Sequence, residues 1–145
     1  MQCVFCESKE IKERIIVRNS LVCAFPTNIP IVPGHLLIIP IRCVATWEQM
    51  NHEEQHAIVE LMEKLKPILK KELNTEGFHV AWNEGAVAGQ SVQHFHLHLI
   101  PRKEGDTGII EYEPRKFIYR PGSRQASPEK ELEEISEIIR KALNR

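Results

Sequence analysis

Three histidines alternate with apolar residues in one short run, His-Phe-His-Leu-His-Leu-Ile over residues 94–100. If this run is a β-strand, His94, His96 and His98 share one face while the apolar residues between them face the core. Each imidazole has ring nitrogens that need hydrogen-bond partners, so three imidazoles on one face cost free energy if they only fill space. The pattern fits a hydrogen-bonded polar surface, a metal site of neutral imidazoles, or nucleophilic catalysis by one imidazole whose neighbours set its tautomer.

The elements that must position this run can be predicted from periodicity. Apolar and alternating stretches predict five strands, over residues 14–18, 21–25, 35–39, 78–82 and 92–100. Apolar residues at helical spacing predict a long helix over about 51–74, capped by Asn51 with Glu54 and kinked or broken at Pro67. Ser127-Pro128 predicts the start of a C-terminal helix. Hairpin-like connections between the strands favour an α+β domain with a mainly antiparallel sheet.

Length and charge argue against several classes of protein. A chain of 145 residues suits one domain with its own core. Lys and Arg total 19 against 20 Asp and Glu, a net charge of −1, which argues against a partner that is an extended nucleic acid. No apolar run approaches the roughly 18 residues that cross a bilayer, so we expect no membrane partner. The N-terminus lacks the pattern of an export signal, and we therefore expect a cytoplasmic protein.

Two further motifs flank the predicted long helix. Pro-Gly-His-Leu-Leu-Ile-Ile-Pro precedes it over residues 33–40, and Gly-Gln-Ser leads into the histidine run over residues 89–91. Together with the alternating histidines, these motifs resemble the signature of the histidine triad (HIT) superfamily over residues 1–102. The resemblance implies the HIT fold, a mainly antiparallel sheet of about five strands with a long helix between strands and a C-terminal helix. Residues 103–145 would add a loop and that last helix to a single domain spanning residues 1–145.

The HIT resemblance also implies a chemistry. It implies a hydrolase that attacks the α-phosphate of a dinucleoside polyphosphate or a nucleoside phosphoramidate, most similar to the diadenosine polyphosphate hydrolase branch. His96 would be the nucleophile and form a nucleotidyl-histidine intermediate, with His98 and His35 as the other catalytic histidines. A neutral imidazole is a good nucleophile at pH 7, because its reference pKa is about 6.5. The resemblance implies substrate contacts at Asn28, Asn83, Gly89, Gln90, Ser91 and His98, and candidates for the base pocket are Phe5, Phe25 and Ile38.

The resemblance implies a small-molecule nucleotide substrate, no organic cofactor and a homodimer. Three alternatives stay open: a nucleotidyltransferase or phosphorylase, a nucleotide-binding regulatory protein with little turnover, and a hydrolase that uses the histidines as metal ligands. Aromatic and cationic residues interleave over residues 112–124. That segment fits a cover for the nucleotide, a solvated loop, or a strand at a dimer contact.

Cysteines form a second candidate site. The spacing of Cys3 and Cys6 fits a zinc knuckle, a redox pair or no site at all. In bacterial-type HIT proteins such a pair binds zinc with the first triad histidine, here His94, and a histidine shortly after the Pro-Gly-His strand. Cys43 stands at that last position in this chain. The resemblance therefore implies either a structural zinc held by Cys3, Cys6, Cys43 and His94, or a lost ligand and cysteines that are only small hydrophobes. Cys23 lies in an apolar strand and is expected in the core.

Overall fold

A computed structural model of the chain describes residues 3–106 and 128–143. The chain divides into two compact units, Met1–Gly108 and Ile109–Arg145. Of the second unit, the structure describes one helix, α4 (Glu129–Leu143), which directly follows Pro128 and confirms the predicted C-terminal helix. Ser127 and residues 112–124 lie outside the described residues, and the single domain over residues 1–145 stays a prediction.

The first unit contains the sheet and the long helix. Its helices and strands, in chain order, are α1 (Val4–Glu7), α2 (Lys9–Glu13), β1 (Val17–Arg18), β2 (Val22–Pro26), β3 (Leu36–Pro40), α3 (His52–Leu73), β4 (Gly77–Ala81) and β5 (Leu97–Arg102). The five strands form one antiparallel sheet in the order β1-β2-β3-β5-β4. The α+β class, the five-stranded antiparallel sheet and the long helix between strands are therefore confirmed.

The two faces of the sheet are covered by different elements. The face under α3 carries the main core, in which the apolar residues of the triad run, Phe95, Leu97 and Leu99, are buried as predicted. The opposite face packs against α1 and α2 in a smaller cluster formed by Ile11, Cys23, Phe25, Leu37 and Ile39. Cys23 is 3% exposed, which confirms its place in the core. Leu37 of β3 pairs with His98 of β5, so His98 lies on this second face.

The predicted strand over residues 14–18 is wrong for most of its length. Ser8 accepts a hydrogen bond from the Ile11 N–H at 3.3 Å and caps α2, which ends at Glu13 with Arg14 as its C-cap. Of residues 14–18, only the last two, which form β1, pair with β2 as a strand. Both α1 and α2 are too short to show a helical period in the sequence, which explains why periodicity does not predict them.

The predicted strand over residues 92–100 is wrong in its first half, because β5 begins later. In the register of β3 and β5, Phe95 would face Pro40, and proline has no N–H to donate to the ladder. The Phe95 N–H bonds instead to the Val44 carbonyl oxygen at 2.6 Å. Of the three triad histidines, only His98 therefore lies within the strand.

Helix α3 begins and ends about where predicted. The Asn51 side chain accepts from the Glu54 N–H at 2.8 Å, and the Glu54 carboxylate accepts from the Asn51 N–H at 3.0 Å. The helix is continuous through Pro67, so the predicted break is wrong. Pro67 is exposed, and the carbonyl left without an N–H partner lies on the water side, where it can be solvated. None of the described helices is long and apolar enough to cross a membrane.

A side chain at Gly34 is expected to destabilise the fold. Gly34 has a φ of +92°, and a Cβ there would lie 2.4 Å from Leu73 Cδ1 and 3.1 Å from Pro101 Cγ. We expect Gly34→Ala to lower the free energy of unfolding by about 1–3 kcal/mol, because positive φ strains alanine and both neighbours must shift. Urea denaturation measures the change. Gly77→Ala is the matched control, since a Cβ there meets no atom within 4 Å; an equal loss at Gly77 would contradict the explanation.

Candidate active site

The His96 ring is buried beside β5, in a defined tautomer. Only 6% of the residue is exposed. Its Nδ1 lies 2.8 Å from the His94 carbonyl oxygen, which can only accept a hydrogen bond, so Nδ1 carries the proton. The neutral ring then has its lone pair on Nε2. Burial lowers the pKa of His96 below its ordinary value, so the ring is neutral at pH 7.

Hydrogen bonds set the tautomers of His35 and His98 in the same way. The Ile31 N–H donates to His35 Nδ1 at 3.1 Å, which leaves the proton of the neutral His35 ring on Nε2. This Nε2–H donates to His98 Nδ1 at 3.0 Å. The neutral His98 ring must therefore carry its proton on Nε2, and its centroid is 5.0 Å from that of His96. His96 thus supplies a nitrogen with a lone pair, and the neighbouring His98 supplies an N–H donor.

Aromatic side chains from the N-terminal half pack on the same side as the triad. The Phe5 ring meets the His96 ring edge-on at a centroid distance of 5.1 Å and the Phe25 ring at 5.5 Å. Phe5 is partly buried beside the triad and stays a candidate for the base pocket, whereas Phe25 is only 1% exposed and is a core residue. Ile38 is fully buried in the main core, and its place in the base pocket is a wrong prediction. Successive residues on a strand face opposite sides, and here Leu37 faces the triad side.

The loop between β4 and β5 holds most of the other predicted substrate contacts. Gly89 has a φ of +91°, and a Cβ there would lie 2.9 Å from Asn83 Nδ2. The missing side chain of Gly89 thus makes room for the Asn83 amide. Gln90 is buried, and its own amide is bonded within the protein at both ends, to the Gly85 N–H and to the Ala45 carbonyl oxygen, each at 2.8 Å.

Two further predicted substrate contacts are exposed to solvent. Ser91 lies within the loop between β4 and β5, three residues before His94. Asn28 lies in the loop between β2 and β3, ahead of His35. Both side chains are accessible to a ligand from solvent, and their contacts with a substrate stay predictions.

The four predicted metal ligands come together. The ligand atoms of Cys3, Cys6, Cys43 and His94 all lie within 4.8 Å of one another. His94 Nδ1 is 3.4 Å from the Cys3 sulfur and 3.5 Å from the Cys6 sulfur. A tetrahedral zinc ion with bonds of about 2.3 Å to sulfur and about 2.0 Å to nitrogen requires sulfur–nitrogen separations of about 3.5 Å. Donor types and spacing therefore fit zinc, and the cluster could bind one ion.

The surroundings of His94 prepare it as a ligand. Its Nε2–H donates to the Pro40 carbonyl oxygen at 2.7 Å, so the neutral ring presents its Nδ1 lone pair to the cysteines. Burial, followed by the neighbouring thiols of Cys3 and Cys43, raises the pKa of Cys6 to about 12. A cation between the sulfurs would reverse this effect, because it stabilises thiolates.

Comparison with known proteins identifies the family. The sequence model of the HIT domain matches residues 8–105. The chain belongs to the HIT family. An uncharacterized HIT-like protein of Methanocaldococcus jannaschii is 33% identical over 112 residues, 76% of this chain and 86% of that protein. A bis(5'-adenosyl)-triphosphatase of Dictyostelium discoideum is 30% identical over 113 residues, 77% of this chain and 72% of that protein.

A solved structure of the HIT family is similar in fold as well. The Zn-bound histidine triad family protein of Mycobacterium smegmatis superposes with a TM-score of 0.66 at 25% sequence identity. The match covers 79% of this chain and 84% of that chain. The HIT fold expected from the motifs is thereby confirmed.

Sequence reasoning missed one group of residues in this HIT domain. Glu84 Oε2 accepts hydrogen bonds from the Trp47 N–H at 3.1 Å and from the Trp82 indole N–H at 3.0 Å. The two indole rings are stacked, with centroids 5.2 Å apart. The signal in the sequence that points to this group is the position of Glu84 directly after Asn83, a predicted substrate contact.

The linked histidines predict that this HIT domain loses stability in acid. Burial lowers the pKa of His35 from 6.5 to about 4, and burial with the nearby His96 and His35 rings does the same for His98. As the pH falls below 6.5, the unfolded chain takes up protons that the folded chain does not. Stability that is fully present at neutral pH is therefore lost between pH 6.5 and pH 4. The expected loss is about 1.4 kcal/mol per pH unit for each histidine.

Urea denaturation between pH 7 and pH 5 measures this loss. In His35→Asn the free energy of unfolding is expected to decline less steeply with falling pH, because one of the two neutral rings is gone. A His35→Asn protein with the same pH dependence as the wild type would refute the explanation.

Proposed function

We propose that this HIT domain is a nucleotidyl hydrolase that attacks the α-phosphate of a dinucleoside polyphosphate or a nucleoside phosphoramidate. The product is a nucleoside monophosphate. The observation that carries the proposal is the tautomer of His96: the 2.8 Å hydrogen bond from Nδ1 to the His94 carbonyl leaves the lone pair on Nε2. A neutral ring of this kind is a nucleophile at pH 7 that needs no separate base.

The chemistry proceeds in two displacements at phosphorus. First, a bond forms between His96 Nε2 and the α-phosphorus while the bond from phosphorus to the leaving group breaks. Next, water attacks the phosphorus, the nitrogen–phosphorus bond breaks, and a proton of the water passes to solvent. Throughout, the Nε2–H of His98 is placed to hydrogen-bond a phosphate oxygen, and His35 keeps that proton on Nε2. Two easier displacements thereby replace one difficult one.

Residues of the loops around the triad bind the substrate in this proposal. Asn83 and Ser91 contact the phosphate chain, and Asn28 contacts the ribose. Gly89 supports this assignment, because its missing side chain leaves room for the Asn83 amide at 2.9 Å from where a Cβ would stand. The D. discoideum relative is a bis(5'-adenosyl)-triphosphatase, which supports diadenosine polyphosphates as the first substrates to test.

We further propose that the cluster of Cys3, Cys6, Cys43 and His94 binds a structural zinc ion. The Zn-bound M. smegmatis protein supports this assignment. Four protein ligands leave no open position for water, so the ion would tie the N-terminal segment to His94 and take no part in the reaction. The thiols must stay reduced to bind zinc, which supports the proposed cytoplasmic location.

The homodimer is also a proposal, supported by the edge strand β4. The strand Gly77–Ala81 carries no Asp, Glu, Lys or Arg, and it lies at the end of the sheet order. Val80 and the following Trp82 are 40% and 39% exposed. Exposed apolar side chains on an uncharged strand at the end of the described sheet can be buried against a second copy of the chain. Sedimentation equilibrium tests it, and a monomer at micromolar concentration would contradict it.

The experiment that tests the hydrolase proposal looks for the covalent intermediate. The protein is mixed with diadenosine tri- and tetraphosphate, adenosine phosphoramidate and a nucleotide sugar, each with and without EDTA and with and without inorganic phosphate. Chromatography follows the products. Mass spectrometry at alkaline pH, which preserves phosphorus–nitrogen bonds, follows the protein. We expect release of AMP that EDTA does not change, and an adenylyl adduct on the peptide that contains His96.

Other outcomes identify the alternatives. AMP release that requires a metal, with no adduct, would point to a hydrolase that uses the triad as metal ligands. ADP formation that depends on inorganic phosphate would point to a phosphorylase. Tight AMP binding with no product from any substrate would point to a regulatory protein. Each of these results would overturn the hydrolase proposal.

A further inference from the structure

Gln90 is bonded on both sides before any substrate arrives. Only 5% of the residue is exposed. Its Oε1 accepts from the Gly85 N–H and its Nε2 donates to the Ala45 carbonyl oxygen, each at 2.8 Å. Gly85 lies in the same loop as Gln90, whereas Ala45 lies between β3 and α3. One amide thus closes the loop on itself and attaches it to a separate segment.

Glu84 makes a second attachment between the same two segments. Its Oε2 accepts from the Trp47 N–H at 3.1 Å and from the Trp82 indole N–H at 3.0 Å. The Trp47 and Trp82 rings stack with an interplanar angle of 16°. Both rings also pack on Phe95, whose neighbours in the chain are His94 and His96. The loop is therefore bound near each of its ends to the segment Ala45–Trp47.

Asn83 lies between the two attachments. It directly precedes Glu84, and its amide packs on Gly89, which directly precedes Gln90. Any rotation of the loop that moves Glu84 or Gln90 off the segment Ala45–Trp47 must move the Asn83 amide as well. The position of Asn83 is thus set by residues whose hydrogen bonds are made within the protein.

We propose that Gln90 and Glu84 are positioning residues, which hold the loop over residues 83–91 on the segment Ala45–Trp47 and thereby place Asn83 for the phosphate. The inference rests on the proposed function, because it assigns Gln90 to the positioning of a substrate contact. Gln90 is 5% exposed, so turning its amide towards a phosphate would break its hydrogen bonds to Gly85 and Ala45. Both groups left behind, one N–H and one carbonyl, would lose their partner on the side chain.

Tryptophan spectroscopy tests the first part of the proposal without substrate. The chain has two tryptophans, and they are the stacked pair. Near-ultraviolet circular dichroism and fluorescence therefore report on how the loop packs against the segment Ala45–Trp47. We expect Gln90→Ala and Glu84→Ala to change both spectra. Glu84→Gln should restore most of the wild-type signal, because one amide oxygen can accept both bonds. Gln93→Ala, at an exposed position near the same loop, is the matched control and should leave the spectra unchanged.

A double-mutant cycle with Asn83 tests the second part. We expect Gln90→Ala alone to lower kcat/KM at least about tenfold, mainly through kcat, since misplacement of a contacting group by about 1 Å is enough for such losses. In the Asn83→Ala background the same change should cost less than about twofold, because its effect acts through Asn83. The losses in kcat/KM caused by Glu84→Ala and Asn83→Ala should likewise be non-additive. This second cycle tests the proposal even if Gln90→Ala does not fold.

The outcomes separate this proposal from the proposed function. Additive losses in the cycle would show that Gln90 acts on the substrate by itself and would overturn the inference. Unchanged tryptophan spectra in both alanine variants would overturn it as well. If no substrate is turned over, the proposed function fails, and the spectra together with AMP binding by the same variants still decide whether the loop is held in this way.

Discussion

Replacing His96 by asparagine is expected to lower kcat by at least about four orders of magnitude, which corresponds to about 5 kcal/mol in the activation free energy. The physical reason is that no other nitrogen in the described site both carries a lone pair and lies where His96 Nε2 lies. His98 and His35 carry their Nε2 protons in a chain of hydrogen bonds that begins at the Ile31 N–H. Asparagine is smaller and uncharged, so it fills part of the pocket without supplying a nucleophile. Single-turnover kinetics with diadenosine triphosphate measures the loss.

Two controls keep this result interpretable. His56→Asn changes an exposed histidine on α3 and should leave kcat as in the wild type. Near-ultraviolet circular dichroism of His96→Asn should match the wild type, which shows that the fold is intact. A His96→Asn protein that retains more than about one part in a hundred of the wild-type kcat would rule out His96 as the nucleophile, since covalent catalysis without its nucleophile loses far more.

Removal of the metal is expected to have the largest effect on stability. A zinc ion bound by four protein ligands stabilises the folded chain by about 4 kcal/mol when free zinc exceeds its dissociation constant a thousandfold. For a chain of this size that corresponds to a fall in Tm of roughly 8–16 °C on chelation. The Cys3→Ser and Cys6→Ser double variant should show the same fall without chelator. Differential scanning calorimetry measures Tm, and elemental analysis should find one zinc ion per wild-type chain.

The fourth cysteine provides the matched control for the metal prediction. Cys23 is buried on β2 within the cluster that contains Phe25 and Leu37, and it is not among the four clustered ligands. Cys23→Ala should therefore keep one zinc ion per chain, although it loses some stability from the core. If wild-type protein purified with zinc contains none, or if chelation leaves its Tm unchanged, Cys3, Cys6 and Cys43 are only small hydrophobes.

Local signals in the sequence predict the elements whose stability is local. Asn51 and Glu54 lie three residues apart, and they form the predicted reciprocal cap of α3. The alternation of histidines with apolar residues correctly places Phe95, Leu97 and Leu99 in the main core. The four predicted metal ligands come together as the motifs imply. In each case neighbouring residues, or a motif that carries the information of a whole family, specify the arrangement.

Predictions are wrong where a distant residue changes the outcome. The strand predicted over residues 92–100 starts late, because Pro40 has no N–H for the ladder and Val44 takes the Phe95 N–H. Ile38 looks like a pocket residue in its motif, yet the sheet register turns it towards α3. Periodicity cannot detect such effects, since hydrogen-bond partners far along the chain determine them.

The sequence by itself therefore determined the family, the antiparallel sheet, the grouping of the triad histidines and the grouping of Cys3, Cys6 and Cys43 with His94. Only the tertiary structure decided what each polar group does. The proton of His98 sits on Nε2 because His35 donates to Nδ1, and His94 offers Nδ1 to the cysteines because Pro40 takes the Nε2–H. Gln90 faces Ala45 for the same reason. A buried polar group takes the partner that the fold brings within about 3 Å, and residue type alone does not specify that partner.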